Sequence, residues 1–334
     1  MNSTTPIGQI FQQFEKQKVL IIGDVMIDSY IFGQVDRISP EAPVPIVAVS
    51  KRTHRLGGAA NVALNINAVG AKAILCSVIG QDEKAQTFLQ LLEKRGLSSK
   101  GIIQSADRIT TTKFRIIGNS SQMLRVDEEI DTEININEQN TLLNQIERII
   151  NTESIDVIIF QDYDKGVISK RVIEKTLELA KEIPTVVDPK KRNFHFFKNV
   201  TLFKPNLKEL REGINEHFEA TDYKKLHSAV EQMQKQLNCT YFFTTLSENG
   251  VLISQRDNNN IFNHHHIPAH IRHIADVSGA GDTVISLTAL CLAQNLEAQD
   301  IAYISNLAGG LVCEEVGVIP INKEKLFTEL KNNQ

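Results

Sequence analysis

Val19-Leu20-Ile21-Ile22-Gly23-Asp24 is a short apolar run closed by a glycine and a carboxylate. A run of this length and composition reads as a strand buried on both faces. Gly57 to Val69 then opens with two glycines and carries Ala, Val, Leu and Ile at helical spacing. Ala73 to Ile79 is a second apolar strand, and Asp82 to Lys94 an amphipathic helix. The pattern continues with strands expected at Asp156 to Phe160, Thr185 to Val187, Thr201 to Phe203 and Tyr241 to Thr245. Helices centred near residues 143, 175, 228, 288, 306 and 328 separate or follow them. Such alternation marks βαβ units on a mostly parallel sheet, an α/β fold.

Two segments break the pattern. Ser29 to Ser50 and Thr110 to Asp127 alternate with period 2, most clearly in Val44-Pro45-Ile46-Val47-Ala48-Val49 and Thr112-Lys113-Phe114-Arg115-Ile116-Ile117. Strands leaving the main sheet at two places can pair into a small accessory sheet, a lid for a reaction that must exclude water. The alternative is an antiparallel edge of the main sheet. The polar segment Arg256 to Asn260 reads as a hairpin tip.

With 334 residues the chain can bury a large core, and its net charge of -4 gives no bulk attraction to nucleic acid or an anionic membrane. The four cysteines are Cys76, Cys239, Cys291 and Cys313; they are far apart and sit in or beside apolar runs, as buried reduced thiols do. Met1 to Lys18 has no apolar signal-peptide core, and no stretch is long enough to span a bilayer. A soluble cytoplasmic protein is expected.

Chemistry concentrates first in Asp276-Val277-Ser278-Gly279-Ala280-Gly281-Asp282, which leads straight into the apolar run Thr283 to Leu290. Glycines let the chain turn so that successive N–H groups point into one concavity, and the helix that follows adds its positive end. An anion cradle beside a fixed carboxylate is what phosphoryl transfer to a hydroxyl needs; a plain loop-to-helix turn is the other reading. Other strand ends are polar as well: Asp24 and Asp28, Gln161 to Gly166, Asp188-Pro189-Lys190, and Lys204-Pro205-Asn206. Carboxyl ends of strands are where open α/β sheets bind ligands, so together these ends read as a site. Gly57-Gly58-Ala59-Ala60-Asn61 allows close approach of a ligand to backbone, or close helix–sheet packing. No Walker A sequence occurs, and no G-x-G-x-x-G follows the first strand. His264, His265, His266, His270 and His273 are bunched but lack paired carboxylates or cysteines, so an exposed surface run is expected rather than a metal site.

From about Val19 to Leu326 the chain resembles the ribokinase-like (PfkB) carbohydrate kinases. Gly57-Gly58 with Asn61 is similar to the family's N-terminal signature, and Asp276 to Asp282 to its C-terminal one, with Ser278 where Thr is usual. Within the family, Gly23 to Asp28, Arg37-Ile38-Ser39-Pro40-Glu41-Ala42-Pro43-Val44-Pro45, Asp162-Tyr163-x-Lys165-Gly166 and Pro205-Asn206-Leu207-x-Glu209 resemble the D-glycero-D-manno-heptose-7-phosphate kinases. Bifunctional relatives continue into a nucleotidyltransferase with an H-x-G-H motif; none occurs here, and the stand-alone kinase form is expected.

The resemblance implies one ribokinase-like α/β/α domain over residues 1–334, with lid strands at about 29–50 and 110–127. It implies ATP and Mg²⁺ as co-reactants and a phosphosugar as substrate. The implied reaction gives heptose 1,7-bisphosphate, a precursor of the ADP-heptose of bacterial lipopolysaccharide. By position Asp282 is the general base for the anomeric hydroxyl, kept ionised and weak by its helix N-terminus. The amides of Gly279, Ala280 and Gly281 hold the developing charge. Asn206, Leu207, Lys208 and Glu209 fall beside the nucleotide phosphates and Mg²⁺, which is bound mainly through the phosphates with Glu209 reaching it through water. Ser247, Glu248 and Gly250 form a loop on the ATP side, and Asn306 edges the adenine pocket. Asp28, Gly57, Gly58, Asn61 and Asp162 are expected at the sugar. Arg115, Arg125, Lys165 and Lys190 are the candidates to clamp its phosphate. Exposed apolar lid strands suggest a homodimer, with no nucleic-acid or membrane partner.

Overall fold

The computed structural model describes residues 5–270 and 273–332. The chain opens with helix α1 (Ile7–Phe14), strand β1 (Lys18–Gly23) and two long strands, β2 (Val25–Ile38) and β3 (Pro45–Gly58). Then come α2 (Ala59–Ala68), β4 (Lys72–Gly80), α3 (Glu83–Lys94), β5 (Gly101–Ser105), β6 (Thr112–Gly118) and β7 (Ser121–Glu128). The middle of the chain forms α4 (Ile136–Thr152), β8 (Val157–Gln161), α5 (Lys170–Ala180), β9 (Thr185–Asp188) and β10 (Leu202–Phe203). It continues with α6 (Leu207–Ile214), α7 (Tyr223–Leu237), β11 (Tyr241–Thr245), β12 (Val251–Arg256) and β13 (Phe262–Ile267). Helices α8 (Ala280–Ala293), α9 (Ala298–Val312) and α10 (Lys323–Asn332) complete it.

Nine strands form one sheet in the order β13-β12-β11-β10-β9-β8-β1-β4-β5, parallel except for the antiparallel pairings of β12 with β11 and β13. Successive side chains of a strand point to opposite faces, and the apolar runs supply both. Val19 and Ile21 of β1 pack with α1, α2, α3, α8, α9 and α10. Leu20 and Ile22 pack with α4, α5, α6 and α7 on the other side. Helices therefore cover both faces, and the carboxyl ends of the strands are left for loops.

The segments that interrupt the alternation pair with each other. A second sheet runs β3-β2-β6-β7, with β2 antiparallel to β3 and parallel to β6. The lid reading holds in this sense, and the edge alternative does not. Register puts Asp28, Tyr30, Lys113 and Arg115 on one face, and Ser29, Ile31, Phe114 and Ile116 on the other.

Three details differ from the sequence reading. Gly57 and Gly58 end β3 rather than opening α2. Gly58 has φ +60, and a Cβ there would strike the Asp24 carbonyl, which instead accepts the Ala59 N–H at 2.9 Å. Within Met1 to Lys18, where no helix was expected, Ile7, Ile10, Phe11 and Phe14 recur at i, i+3, i+4 and i+7 and bury one face of α1. The histidines are the third. His264, His265 and His266 lie on β13, half-buried rather than exposed. The His264 ring stacks on His227 at 4.1 Å, and His264 Nε2 lies 3.2 Å from Glu231. Among the described residues no group of three His, Cys, Asp or Glu side chains could hold a metal ion.

Candidate active site

Two helices start at one place. α8 has Gly279 at its N-cap, with φ +85, and Asp282 in its first turn. α2 begins just after Gly58 and carries Asn61 on its first turn. Small residues let the two helices pack closely. Asn65 Oδ1 accepts from the Thr283 hydroxyl at 3.0 Å and from the Ile321 N–H at 2.9 Å, and the Ser286 hydroxyl donates to the Asp282 carbonyl at 2.6 Å. A Cβ on Gly279 would press on Asn61 Nδ2 at 3.0 Å, whereas one on Gly281 would meet only Asp188 Oδ2, at 3.9 Å. The space over Gly281 is a cradle. First-turn N–H groups have no carbonyl of a preceding turn to reach. Thr283 makes the first such bond, to Gly279, and Ala280 N–H turns back to Val277 at 3.3 Å, so among the described residues Gly281 and Asp282 have no partner for their N–H groups at this end.

Asp282 is only 4 % exposed. Its Oδ2 accepts from Asn61 Nδ2 at 2.8 Å, and its Oδ1 from the Tyr163 hydroxyl at 2.6 Å and Gln161 Nε2 at 3.3 Å. Burial lifts its pKa to about 6. The Asn61 and Tyr163 hydrogen bonds pull against that lift, nearby Asp188 adds to it, and Lys204 opposes it. Burial is the largest cause and sets this carboxyl above the range of an exposed aspartate, where the sequence reading expected one kept ionised and weak by its helix end. Asp188 Oδ2 pairs with the buried Lys204 Nζ at 3.0 Å and accepts from Gln161 Nε2 at 3.4 Å. The ends of β8, β9 and β10 thus meet the start of α8.

The loop after β8 is fixed by Asp24. Asp24 accepts the N–H groups of Tyr163 at 2.8 Å, Val167 at 3.0 Å and Lys165 at 3.2 Å. Asp162 lies beneath, with one oxygen on the Asp164 N–H at 2.8 Å and the other on Asn193 Nδ2 at 2.9 Å and Lys190 N–H at 3.3 Å. Burial, with Asp24 close by, lifts the Asp162 pKa to about 7. Both Asp162 oxygens are thereby engaged inside the loop.

Asp28 is buried at the base of the small sheet, ion-paired to Arg115, and a Cβ on Gly57 would strike its carboxylate. Arg55, opposite Asp28 on β3, donates to the Val318 carbonyl at 3.1 Å. The Arg55 and Arg115 guanidiniums both lie over the Tyr30 ring, at 5.2 and 5.4 Å. Lys113 pairs with Asp127 at 3.1 Å and Glu129 at 2.9 Å, and Lys165 with Glu129 at 2.7 Å. Arg125 is half exposed and pairs with Asp127 at 2.9 Å. This face of the small sheet is therefore cationic and looks toward the loop around residue 317.

The other expected residues lie along the ends of β10 and β11. Asn206 and Glu209 form a capping box on α6: Asn206 Oδ1 accepts the Glu209 N–H at 2.8 Å, and Glu209 Oε2 the Asn206 N–H at 2.9 Å. The second Glu209 oxygen pairs with Lys190, whose ammonium also lies 5.9 Å over the Tyr163 ring. Leu207 follows in α6, while Lys208 points into solvent. Asn206 bridges to Thr245, which brings the turn of Ser247, Glu248 and Gly250 alongside. Asn306, on α9, donates to the Pro268 carbonyl at 2.9 Å. A cavity of about 830 Å³ lined by Lys170, His195 and Lys198 lies at the opposite, amino ends of β9 and β10, and shares no residue with this cluster.

Sequence reasoning missed three contributors. Gln161 and Tyr163 lie in a polar strand end read as part of the site, and Tyr163 in the Asp162-Tyr163-x-Lys165-Gly166 motif. Neither was given a role, because their reach to Asp282 across more than a hundred residues is visible only in the fold; Arg55 carries no motif.

A family model described as pfkB family carbohydrate kinase matches residues 16–325. The chain is 39% identical over 318 residues to the bifunctional protein HldE of Methylobacillus flagellatus, covering 95% of this chain and 64% of that protein. It is 39% identical over 325 residues to the HldE of Caulobacter vibrioides, covering 96% and 65%. The chain thus spans a little under two thirds of these bifunctional relatives. Among solved structures, Escherichia coli phosphofructokinase-2 in complex with potassium superposes with a TM-score of 0.76 at 17% identity, over 94% of this chain and 99% of that one. Ribokinase from Thermotoga maritima gives 0.68 at 18% identity, over 95% and 99%. No helix among the described residues is long and apolar enough to cross a membrane.

Proposed function

Since the chain belongs to the pfkB family of carbohydrate kinases, we propose that it transfers the γ-phosphoryl group of ATP to the anomeric hydroxyl of D-glycero-D-manno-heptose 7-phosphate. The observation that carries this reading is the Asp282 carboxylate, buried at the start of α8 and held by Asn61 and Tyr163. It stands beside the open cradle of Gly281 and below a cationic face. Likeness to HldE and the Arg37 to Pro45 string support the heptose in particular.

In this reading the sugar lies between the small sheet and the start of α2, over Gly57 and Gly58. Asn61 Oδ1 is buried with no hydrogen-bond partner among the described residues, which suits it to take a sugar hydroxyl. Asp282 accepts the proton of the attacking hydroxyl, and a pKa near 6 keeps it largely ionised at neutral pH yet basic enough to do so. The N–H groups of Gly281 and Asp282 face the charge on the transferring group, while the Ala280 N–H, expected with them, is taken by the Val277 carbonyl at 3.3 Å. Arg115 and Arg125 on the small sheet, with Lys165 and Lys190 at the strand ends, hold the sugar's own phosphate. Each gives up a carboxylate partner to do so.

Asn206, Glu209, Ser247, Glu248, Gly250 and Asn306 line the nucleotide side. Mg²⁺ suits this set as an ion carried mainly by phosphate oxygens: one buried carboxylate, Glu209, faces that side, and no cage of three ligands exists among the described residues. When bound, the metal neutralises phosphate charge.

The test is ADP release by the purified chain with ATP and Mg²⁺ over a panel of heptose 7-phosphate, fructose 1-phosphate, fructose 6-phosphate and ribose. Highest kcat/KM on the heptose supports the reading; preference for another sugar reassigns the substrate.

A further inference from the structure

Asp282 has two carboxylate oxygens with about four lone-pair sites, and described residues occupy three: Asn61 one, Tyr163 one and Gln161 one. The Tyr163 bond is the shortest, at 2.6 Å, within the range of a charge-assisted O–H···O⁻ bond. Its donor cannot drift. The Tyr163 backbone N–H is held by Asp24, the same carboxylate grips the loop at Lys165 and Val167, and Lys190 sits over the ring. We propose that Tyr163 is a positioning residue, which fixes the plane of the Asp282 carboxylate so that its one remaining lone pair is aimed at the substrate hydroxyl.

The proposal rests on the reading of Asp282 as the base, and deepens it. The charged groups around Asp282 define what the hydroxyl adds. Asp188, at the end of β9, disfavours the charged carboxylate, while Lys204, following β10, favours it. Among the described residues, α2 and the end of β8 contribute the amides of Asn61 and Gln161. Tyr163 is thus the hydroxyl donor among these partners. Burial, with Asp282 and Asp188 close by, raises its own pKa well above the usual phenol value, so it donates throughout the working range. Removing that donation leaves a buried carboxylate with weaker support, which makes it harder to ionise.

The experiment compares wild type, Tyr163→Phe and Asp282→Asn in the pH profile of kcat/KM on whichever panel sugar is turned over. A ¹³C NMR titration of the Asp282 carboxyl in the sugar-free enzyme runs in parallel. Wild type is expected to lose activity below a limb near pH 6. In Tyr163→Phe the limb and the carboxyl titration are both expected to move up by about one pH unit. kcat is expected to fall about tenfold while the KM for ATP is unchanged. A ring that only packs the loop would lower activity without moving either titration, and that result overturns the proposal. If Asp282→Asn retains near-normal kcat, the base reading itself fails, whatever Tyr163→Phe does.

Discussion

Arg115 shows how a single side chain is poised. It is ion-paired to buried Asp28 and lies over Tyr30, so its charge is already dehydrated and aimed. Exchanging Asp28 for a phosphate would keep it paired throughout. Arg115→Met should therefore raise the KM for the phosphosugar about tenfold or more, with the KM for ATP unmoved, as steady-state kinetics would show. An unchanged sugar KM would remove Arg115 from the clamp. At this scale the sequence was legible where residue type alone dictates chemistry. Asp282 after two glycines and Asn61 after Gly57-Gly58 were both found, and they touch. What Asn61 does was less legible. Its amide donates to Asp282, not outward, because that pairing depends on two helices meeting 221 residues apart. The buried Asp162 was visible as a strand-end carboxylate, but its role in pinning the Asp164 and Lys190 N–H groups follows only from the folded loop.

Convergence of α2 and α8 is what places the two halves of the site together. Asn65 is its fastener: fully buried, it accepts from Thr283 and from Ile321, and its Nδ2 donates to the Asn61 carbonyl at 2.9 Å. Asn65→Ala leaves the buried Ile321 N–H unpaired, while the Thr283 hydroxyl keeps the Gly279 carbonyl at 3.2 Å, and should cost about 2 kcal/mol of stability in urea unfolding. A loss below about 1 kcal/mol would mean the helices are held by apolar packing alone. α8 announced itself in the sequence as a glycine turn followed by an unbroken apolar run, since it is buried on nearly every side between α2 and α9. α1 did not, because three of its eight residues are glutamines and its buried stripe is only four side chains long. The start of α2 was misplaced for a related reason: glycines permit both a strand end and a helix start, and a contact with Asp24 decides between them.

The fold as a whole puts helices on both faces of one sheet and leaves the small sheet standing over the strand ends. Its far face carries Ile31, Phe114 and Ile116, continued by Leu124 and Val126 across β7, and the last two are exposed. A second copy of the chain covering this face would bury it, as the sequence reading anticipated for a homodimer. We expect the wild type to be a dimer through this face and Leu124→Glu to be a monomer, as light scattering at micromolar concentration would show. Equal masses for the two would place any contact elsewhere. The period-2 runs that build this sheet were the clearest departure from alternation in the chain, which is why the sheet was foreseen. How its cationic face meets the residues around 317 was not, because Arg55 gains its meaning only from carbonyls 261 and 263 residues away.

The most direct measurement is ³¹P NMR of the product formed from ATP, Mg²⁺ and D-glycero-D-manno-heptose 7-phosphate by wild type and by Asp282→Asn. Wild type should give one new phosphate resonance coupled to the anomeric proton. The Asn variant should form it about a thousandfold more slowly while still binding ATP. A phosphate ester on any other carbon, or equal rates for the two proteins, would contradict the role given to the carboxylate at the start of α8.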